Sequence, residues 1–292
     1  MVKPESAKIV VCGIVRDAEK GLRRNIPVVR NVLLRFEDYR IIMIENDSKD
    51  GTKQLLRQWK ETEGERMTAV MEDTDASSTI PTARSVDGVN PFFSHKRIDK
   101  MAHLRNKYID AMEKMLSGED GFEPDYLMVV DMDVAQLYAD AIMTSFESDR
   151  EWDAVCAFGY STSPKLRRRY HDTYALTLWE EREEPQTEQK IKEYADRLGQ
   201  LKPTDEWIRV ASGFGGVAIY RYEAVKGIRY AEPTLENDDS RVEAKCEHFS
   251  IYKQMIERGY DRFYLNPAMQ LKYQDLTLSI IWRSLMRKYF CK

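Results

Sequence analysis

The chain has 292 residues, of which 45 are basic and 49 acidic, and its formal net charge is −4. This near balance argues against a dedicated nucleic-acid-binding protein. Hydrophobic residues make up 42% of the chain, enough for a sizeable core in one large domain or two small ones. The four cysteines are far apart and form no C-x-x-C pair, so neither a disulfide framework nor a structural zinc site is expected.

The first third of the chain alternates between apolar strands and amphipathic helices. Lys8–Val15 and Arg40–Ile44 are short apolar runs rich in β-branched residues, which predict strands. Apolar residues at helical spacing follow each of them, from Leu22 to Leu33 and around Trp59. Met67–Met71 is a third predicted strand. The order predicts an α/β fold with a parallel sheet and right-handed helical crossovers.

The middle of the chain continues this pattern after a long irregular segment. Residues 74–94 have little periodicity and are predicted to form a loop. Arg97–Leu116 has one apolar face and is predicted to be a helix. Tyr126–Val130 and Trp152–Phe158 are predicted strands, and the second leads into a basic and aromatic segment, Lys165–Tyr174.

The last third is more varied. Glu188–Leu198 is a predicted surface helix in a highly charged stretch. Val210–Tyr220 contains a glycine-rich turn that leads into a strand. We also predict a helix over Glu243–Arg258 and a short final strand over Phe263–Pro267.

An Asp-x-Asp pattern directly follows the apolar strand that ends at Val130. A buried strand delivers Asp131 and Asp133 to the carboxyl edge of the sheet, where open α/β sheets bind ligands. Carboxylate oxygens suit Mg²⁺ or Mn²⁺, and such a cation can hold a diphosphate. We expect Asp133 on the metal and Asp131 on the sugar nucleotide or on a metal-bound water. Carboxylates also commonly end strands without binding anything, so the pattern alone is weak.

Two other segments carry candidate ligand-binding side chains. Glu45 and Asp47 follow the second strand, where a carboxylate can accept hydrogen bonds from a ribose or a base. Turn chemistry alone explains them equally well. Arg105 lies on the predicted helix of the middle region, and its planar guanidinium is well matched to phosphate. An ordinary charged helix face is the alternative.

Cys246-Glu247-His248 lies in the predicted helix of the last third, just after an acidic stretch. A carboxylate and an imidazole there can act as a base and a metal ligand, although helix capping also favours Glu247. The glycines of Gly213–Gly216 do not follow the phosphate-loop pattern, and the first strand leads into no dinucleotide fingerprint. These absences argue against P-loop NTPases and nicotinamide enzymes.

The order of these motifs resembles that of nucleotide-sugar glycosyltransferases of the GT-A type. More narrowly, the chain is similar to the fungal capsule-associated α-mannosyltransferases, the CAP59-like group. The resemblance covers most of residues 8–273 and implies a Rossmann-like GT-A domain over residues 1–275, with a mixed, mainly parallel sheet flanked by helices. The matching stretches are Glu45–Thr52, Arg97–Tyr108, Tyr126–Val134, Ser212–Tyr220 and Cys246–His248.

The resemblance also implies roles for individual residues. Asp131 and Asp133 would hold a Mn²⁺ or Mg²⁺ diphosphate, with His248 as a further metal ligand. Glu247 would lie close to the reacting sugar, and Asp172 would belong to an aromatic and acidic segment near it. The implied contacts to the GDP- or UDP-sugar donor are Arg16, Glu45, Asp47, Arg105, Asp131 and, towards the acceptor, Gly215 and Gly216.

The implied reaction is the metal-dependent transfer of a hexose to a glycan or lipid-linked acceptor. The family resemblance points to mannose as the hexose and GDP-mannose as the donor. Retention is favoured, and Glu247 is the first candidate base if the reaction inverts. One alternative is a haloacid-dehalogenase-like phosphatase with Asp131 as nucleophile, but the motif lies mid-chain and continues as Val134-Ala135. The other alternative is a non-catalytic carbohydrate-binding scaffold.

The two termini bear on the expected location. Met1–Lys8 is polar and predicts no signal peptide, and no apolar stretch is long enough to span a bilayer. We therefore expect a cytoplasmic enzyme. Residues 276–292 form a predicted amphipathic, basic helix that either packs on the sheet or contacts a membrane surface near a lipid-linked acceptor.

Overall fold

A computed structural model describes residues 1–73, 91–118, 121–164, 166–232, 236–239, 241–278 and 281–282. Most of the predicted loop over 74–94 and most of the predicted C-terminal helix over 276–292 lie outside these ranges. Two described residues of that helix, Leu278 and Trp282, are exposed. Within the described ranges, no helix has the length and apolar character needed to cross a bilayer.

The predicted helices and strands that lie in the described ranges occur in the expected order, and the structure adds further short elements between them that the sequence did not predict. The helices are α1 Glu19–Leu33, α2 Thr52–Glu63, α3 His95–Leu116, α4 Ala139–Glu147, α5 Glu188–Leu198, α6 Tyr222–Val225 and α7 Glu247–Glu257. The strands are β1 Lys8–Val15, β2 Asp38–Asn46, β3 Met67–Glu72, β4 Tyr126–Val130, β5 Ala154–Thr162, β6 Arg168–Tyr170, β7 Thr177–Leu178, β8 Ile208–Ser212, β9 Val217–Arg221, β10 Glu236–Asp239, β11 Val242–Ala244 and β12 Phe263–Gln274.

One large mixed sheet organises the described part of the chain. Its strand order is β3-β2-β1-β4-β9-β5-β12-β8-β7, with β6 paired to β5, and β10 and β11 form a separate hairpin. Strands β6, β8 and β9 run opposite to the others. The predicted α/β class with a mixed, mainly parallel sheet is therefore confirmed. Strand β4 lies in the middle of the sheet, so its carboxyl end opens at the centre of the sheet edge.

Helices cover both faces of the sheet, which explains why its strands are apolar almost throughout. Alternate residues of β1 belong to different core clusters, with Val10 on one face and Val11 on the other. The Val11 face packs against α1, α2 and α4. The Val10 face packs against α3, α5 and α7. Because α1 and α3 lie on opposite faces, they flank the carboxyl ends of β1 and β4 from both sides.

Several predicted boundaries were wrong, among them the end of β5, which was expected at Phe158 and lies at Thr162. The helix expected from Glu243 begins at Glu247, because Val242–Ala244 pairs with β10 instead. The final strand, expected to end at Pro267, continues to Gln274. Its pairing with β5 shifts register between Asn266 and Gln270, and Pro267 lies in this irregularity. Proline lacks an N–H, so a bulge is a position where it disrupts no regular ladder.

Candidate active site

The loop after β4 carries Asp131 and Asp133, and helix α1 fixes its shape. The side-chain amide of Asn25 donates to the carbonyl oxygens of Met132 at 3.1 Å and Val134 at 2.8 Å. Its Oδ1 accepts from the backbone N–H of Leu137 at 3.0 Å. Asn25 is fully buried, so these three bonds satisfy backbone groups that water does not reach.

Close packing between α1 and this loop also requires a glycine. A Cβ on Gly21 would lie 2.4 Å from the Met132 carbonyl oxygen and 2.6 Å from the Asp133 Cα. Neither Gly21 nor Asn25 was singled out from the sequence. A signal was present, because Asn25 is a polar residue at helical spacing between Leu22 and Val29, both of which are buried.

A cleft of about 280 Å³ opens at the carboxyl ends of β1 and β4. One face of α3 forms a wall of it, with lining residues at helical spacing: Arg97, Lys100, Met101, Leu104 and Arg105. Arg16, in the turn after β1, lies on the same side and is close enough to Lys100 to lower the pKa of that amine, in addition to the effect of burial. The remaining polar lining includes Asn46, Asp131, Asp133, Asp172, Glu247, His248 and Tyr273.

Arg105 and Glu247 form a buried ion pair inside the cleft. The Arg105 Nε donates to Glu247 Oε1 at 2.9 Å, and each residue is only 3% exposed. Burial alone would raise the pKa of Glu247, but Arg105, His248 and Arg97 lower it to about 2. Glu247 is therefore ionised at any working pH. The second guanidinium nitrogen of Arg105, Nη1, is buried without a hydrogen-bond partner.

His248 is buried beside this pair in a neutral form. Its ring stacks on Phe214 with centroids 4.1 Å apart and planes 17° apart. Burial, and next the charge of Arg105, hold the pKa of His248 well below its usual value. Neither ring nitrogen has a hydrogen-bond partner. An imidazole that is neutral, lines a cleft and has unpaired nitrogens can serve as a ligand or an acceptor.

Asp131 lines the cleft, and the pKa of its carboxyl group is raised far above the usual value for aspartate. Burial, followed by the charge of Asp133, raises the pKa of Asp131 to about 8, although Arg105 acts in the opposite direction. The Tyr273 hydroxyl donates to Asp131 Oδ2 at 2.8 Å. Asp133 is exposed to solvent. Across the described ranges, no three His, Cys, Asp or Glu side chains converge into a metal-ligand group, so Asp131, Asp133 and His248 are not brought together as one.

The glycine pair just before β9 positions both Asp131 and Asp172. The Gly215 N–H donates to Asp172 Oδ2 at 2.9 Å, and the Gly216 carbonyl accepts from the Asp131 N–H at 2.9 Å. Gly215 and Gly216 have φ of 66° and 91°, and a Cβ on Gly215 would lie 2.0 Å from the carbonyl oxygen of Ala157. These glycines are not among the lining residues, and what the structure shows for them is a scaffolding role.

Asp172 reaches the cleft from the segment after β6. Burial is the main cause that raises the pKa of this carboxyl group, to about 6, and the nearby charge of Glu247 adds to it. The Gly215 N–H and Arg105 act in the opposite direction. A carboxyl group with such a pKa can exchange a proton near neutral pH, which the ion-paired Glu247 cannot do.

The two acids predicted to contact the nucleoside are placed differently from each other. Glu45 is fully buried and does not line the cleft. Its Oε1 accepts from the Ser48 N–H at 2.7 Å, and its Oε2 lies 3.7 Å from the Lys53 Nζ, so it stabilises the turn after β2. Asp47 is half-buried with φ of 57°, and its charge acts on Lys100 of the cleft wall. The structure thus brings Asp47 near the cleft, whereas Glu45 is buried against the turn after β2.

Arg97, Lys100 and Tyr273 are among the lining residues to which the sequence analysis assigned no role. Arg97 and Lys100 precede Arg105 on the same face of α3, and this helical spacing was available as a signal. Tyr273 belongs to the part of β12 beyond Pro267 that the sequence interpretation had excluded from the strand. Its contact with Asp131 joins residues 142 positions apart and had no signal in the sequence.

Comparison with known proteins gave a family match and several structural neighbours. The family described as Cryptococcal mannosyltransferase 1 matches residues 17–251. No match was found among curated protein sequences. The fold is similar to that of the mannosyltransferase PcManGT from Pyrobaculum calidifontis, solved with GDP-Man and Mn²⁺, at 12% identity and a TM-score of 0.47, covering 95% of this chain and 60% of that one.

Two further neighbours have comparable scores. TarS from S. aureus, residues 1–349, is 13% identical with a TM-score of 0.45, and the match covers 96% of this chain and 64% of TarS. Glucosyl-3-phosphoglycerate synthase from Mycobacterium tuberculosis is 10% identical with a TM-score of 0.43, covering 97% and 79%. The chain therefore spans less than two thirds of the length of PcManGT and of the TarS fragment.

Proposed function

The chain belongs to the glycosyltransferase family described as Cryptococcal mannosyltransferase 1, and on this premise we propose that it moves a hexose from a nucleoside-diphosphate sugar to a glycan acceptor. Family membership favours a glycosyltransferase over the two alternatives from the sequence, a haloacid-dehalogenase-like phosphatase and a non-catalytic carbohydrate-binding scaffold. The observation that carries the proposal is the charge arrangement of the cleft. Four cations, Arg16 of the turn after β1 and Arg97, Lys100 and Arg105 of α3, line the same cleft as four carboxyl groups, those of Asp131, Asp133, Asp172 and Glu247.

The cations of the cleft suit the diphosphate of the donor. Arg16, Arg97 and Lys100 lie along one side of the cleft, and the pKa of Lys100 is lowered first by burial and then by Arg16. Holding like charges together costs free energy, which a bound polyanion would recover. Guanidinium groups bind phosphate oxygens through two parallel hydrogen bonds, so the arginines can also orient the donor.

The acids of the β4 loop fit a divalent cation. Asp131 and Asp133 present hard oxygen ligands, and the raised pKa of Asp131 shows an unfavourable anion that a cation would stabilise. His248 lines the same cleft and its two ring nitrogens are buried and unpaired, but it does not converge with the two acids in the described structure, so the two acids carry the proposed metal site. When bound, Mn²⁺ or Mg²⁺ would neutralise charge on the leaving diphosphate. Tyr273 and Asn25 would hold the loop in place for that role.

We assign Glu247 an electrostatic role and propose that the sugar configuration is retained. An anomeric carbon that loses diphosphate becomes oxocarbenium-like and positively charged, and a buried carboxylate stabilises that charge. Glu247 is ion-paired with Arg105 and has a pKa of about 2, so it is a poor base for the acceptor hydroxyl. Retention needs no such base if the leaving phosphate takes the proton.

A thermal-shift panel tests the proposal. GDP, UDP, CMP and their sugars are added with and without Mn²⁺, because a ligand that binds only the folded state raises the melting temperature. GDP-mannose is the first donor to try, given the family. We expect a manganese-dependent shift with one nucleotide class that is lost in Asp133→Ala. The matched control is Asp149→Ala, which removes another exposed carboxylate. No shift with any nucleotide, in folded protein, would contradict the proposal.

The stereochemical outcome is tested separately. The configuration of the new glycosidic bond is determined by NMR from the anomeric proton of the product and compared with that of the donor. Retention is expected. An inverted product would contradict the role given to Glu247 and transfer the role of base to Asp172, whose pKa of about 6 suits it.

A further inference from the structure

A second cavity, of about 460 Å³, lies between the β5–β6 hairpin and the carboxyl end of α5. It shares no lining residue with the active-site cleft. Hairpin β5–β6 rises from the carboxyl end of β5, and the chain reaches Asp172 of the cleft two residues after β6 ends. The cavity is lined by Arg167, Arg168, Gly199, Gln200, Leu201 and Lys202.

This cavity is positively charged. Arg167, Arg168 and Lys202 line it without any carboxylate, and across the described ranges none of the three forms an ion pair with an acid. The neighbouring Arg169 shows the contrast, because its Nε lies 2.9 Å from an oxygen of Asp196. The carboxyl end of α5 contributes a partial charge of roughly −0.5, which offsets only a fraction of three cations.

Arg168 has hydrogen-bonding groups that no protein atom satisfies. Its guanidinium carbon lies 4.4 Å from the ring centroid of Tyr160 and 5.0 Å from that of Phe158. These contacts use the faces of the rings and leave the N–H groups unpaired. Both Nε and Nη2 are buried without an acceptor. Buried donors on a charged group nearly always have a partner in native proteins, so these N–H groups indicate an anionic acceptor.

The turn of the same hairpin has an unusual residue at its tip. Leu166 has φ of 58°, a conformation that three-residue hairpin loops normally give to glycine or asparagine. The loop is closed by the Ser163 N–H, which donates to the Arg167 carbonyl at 2.8 Å. Leu166 is also 76% exposed. Leucine disfavours both a positive φ and exposure to solvent, and Leu166 has both next to cations without ion-pair partners. Such residues are found more often at functional sites than elsewhere.

We propose that this cavity binds a phosphate ester, with the guanidinium of Arg168 and the charges of Arg167 and Lys202 as its ligands. Guanidinium forks match phosphate oxygens, and Lys202 adds a point charge. The ester belongs either to an anionic lipid head group, which Leu166 would accompany into the surface, or to a soluble phosphorylated glycan. The proposal does not depend on the identity of the sugar donor.

The test uses the full chain with inorganic phosphate as the probe. Phosphate is titrated at constant ionic strength, and the methyl resonances of Leu166 and Leu201 are followed by NMR in protein labelled at leucine methyls. These methyls report on the cavity and not on the donor cleft. Arg167→Gln combined with Lys202→Gln removes two exposed charges without altering the half-buried Arg168. The control Arg197→Gln removes one charge from an arginine of α5 that faces Glu181.

We expect saturable shifts of both methyls, and about tenfold or weaker phosphate affinity in the double variant but not in the control. Shifts that do not saturate, or that persist unchanged in the double variant, would overturn the proposal. Co-sedimentation with phosphatidic acid vesicles, against phosphatidylcholine vesicles, then distinguishes the two sources. Binding that is reduced in Leu166→Asn supports the lipid, and phosphate binding without vesicle binding supports the soluble ester.

Discussion

Two clusters of acids and arginines, each with a buried carboxylate, lie at opposite edges of the sheet and differ in how many of their hydrogen-bonding groups have a partner. In the cluster below the amino end of β5, both oxygens of Asp153 accept hydrogen bonds. Arg262 supplies its backbone N–H and two side-chain groups, and Arg221 supplies a fourth donor at 3.1 Å. In the cleft, the Arg105–Glu247 pair and His248 leave three buried nitrogens without partners.

This difference assigns a structural role to the Asp153 cluster and a ligand-binding role to the cluster in the cleft. A fully paired cluster stabilises the fold and has no group left to bind anything else. A cluster with unpaired buried groups costs free energy in the empty protein, and that cost is recovered only when a ligand binds. The comparison predicts that mutations in the two clusters will have separable effects on stability and on turnover.

The largest effect is expected from Glu247→Gln. It removes the charge opposite Arg105 and should lower the rate of donor turnover about 100- to 1000-fold, as the loss of an electrostatic contact in a buried site does. The matched variant Asp153→Asn should change the rate less than about threefold. Initial rates are compared for both proteins after circular dichroism has shown that each is folded. Similar rate losses in the two variants would contradict the assignment of one cluster to stability and the other to turnover.

Asp153→Ala tests the structural cluster through stability. The side chain is 1% exposed, and its removal leaves Arg221 and Arg262 without their shared acceptor. We expect the free energy of unfolding to fall by about 3 kcal/mol. This value is at the lower end of the range for broken buried ion pairs, because Arg221 and Arg262 are both partly exposed. Urea denaturation measures the change. Manganese-dependent nucleotide binding should persist below the transition, and its loss would contradict the assignment.

Asn25→Ala tests whether the β4 loop depends on α1. Three backbone groups of the loop lose their partner, and we expect the free energy of unfolding to fall by about 2–3 kcal/mol. Nucleotide affinity should fall as well, because Asp131 and Asp133 are no longer held. Asn31→Ala, on an exposed position of the same helix, is the control. Unchanged nucleotide affinity in Asn25→Ala would show that the loop is held by other contacts.

The smallest expected effect concerns pH. The folded state raises the pKa of Asp172 from 3.8 to about 6, so it binds this proton more tightly than the unfolded state does. The stability contributed by Asp172 is therefore present below pH 3.8 and is lost as the pH rises through about 6. Asp172→Asn removes the buried charge and keeps an acceptor for the Gly215 N–H.

We expect the stability of Asp172→Asn, relative to the parent protein, to be about 2 kcal/mol higher at pH 8 than at pH 4.5. Urea denaturation at the two pH values measures this difference, with Asp149→Asn as the control. The same difference in the control, or none in Asp172→Asn, would show that burial does not control the titration of Asp172.

The sequence by itself determined the first four strands and the position of the Asp-x-Asp motif, but not the short elements such as α4, β6, β7, β10 and β11. The apolar runs predicted β1, β2, β3 and β4 within about two residues, because strands buried on both faces must be continuously apolar. The placement of Asp131 and Asp133 at a sheet edge followed from the strand before them. The family resemblance was also available from the motifs and is confirmed by the match over residues 17–251.

The tertiary structure alone decided which polar residues meet. Glu45 and Asp47 are two positions apart, yet one is buried under the turn and the other lies near the cleft, because turn geometry sets side-chain direction. Arg105 and Glu247 are separated by 142 residues, as are Asp131 and Tyr273, and no local pattern encodes such pairs. The protonation states follow from those contacts, since burial and neighbouring charges, and not residue type, set the pKa values of Asp172 and Glu247.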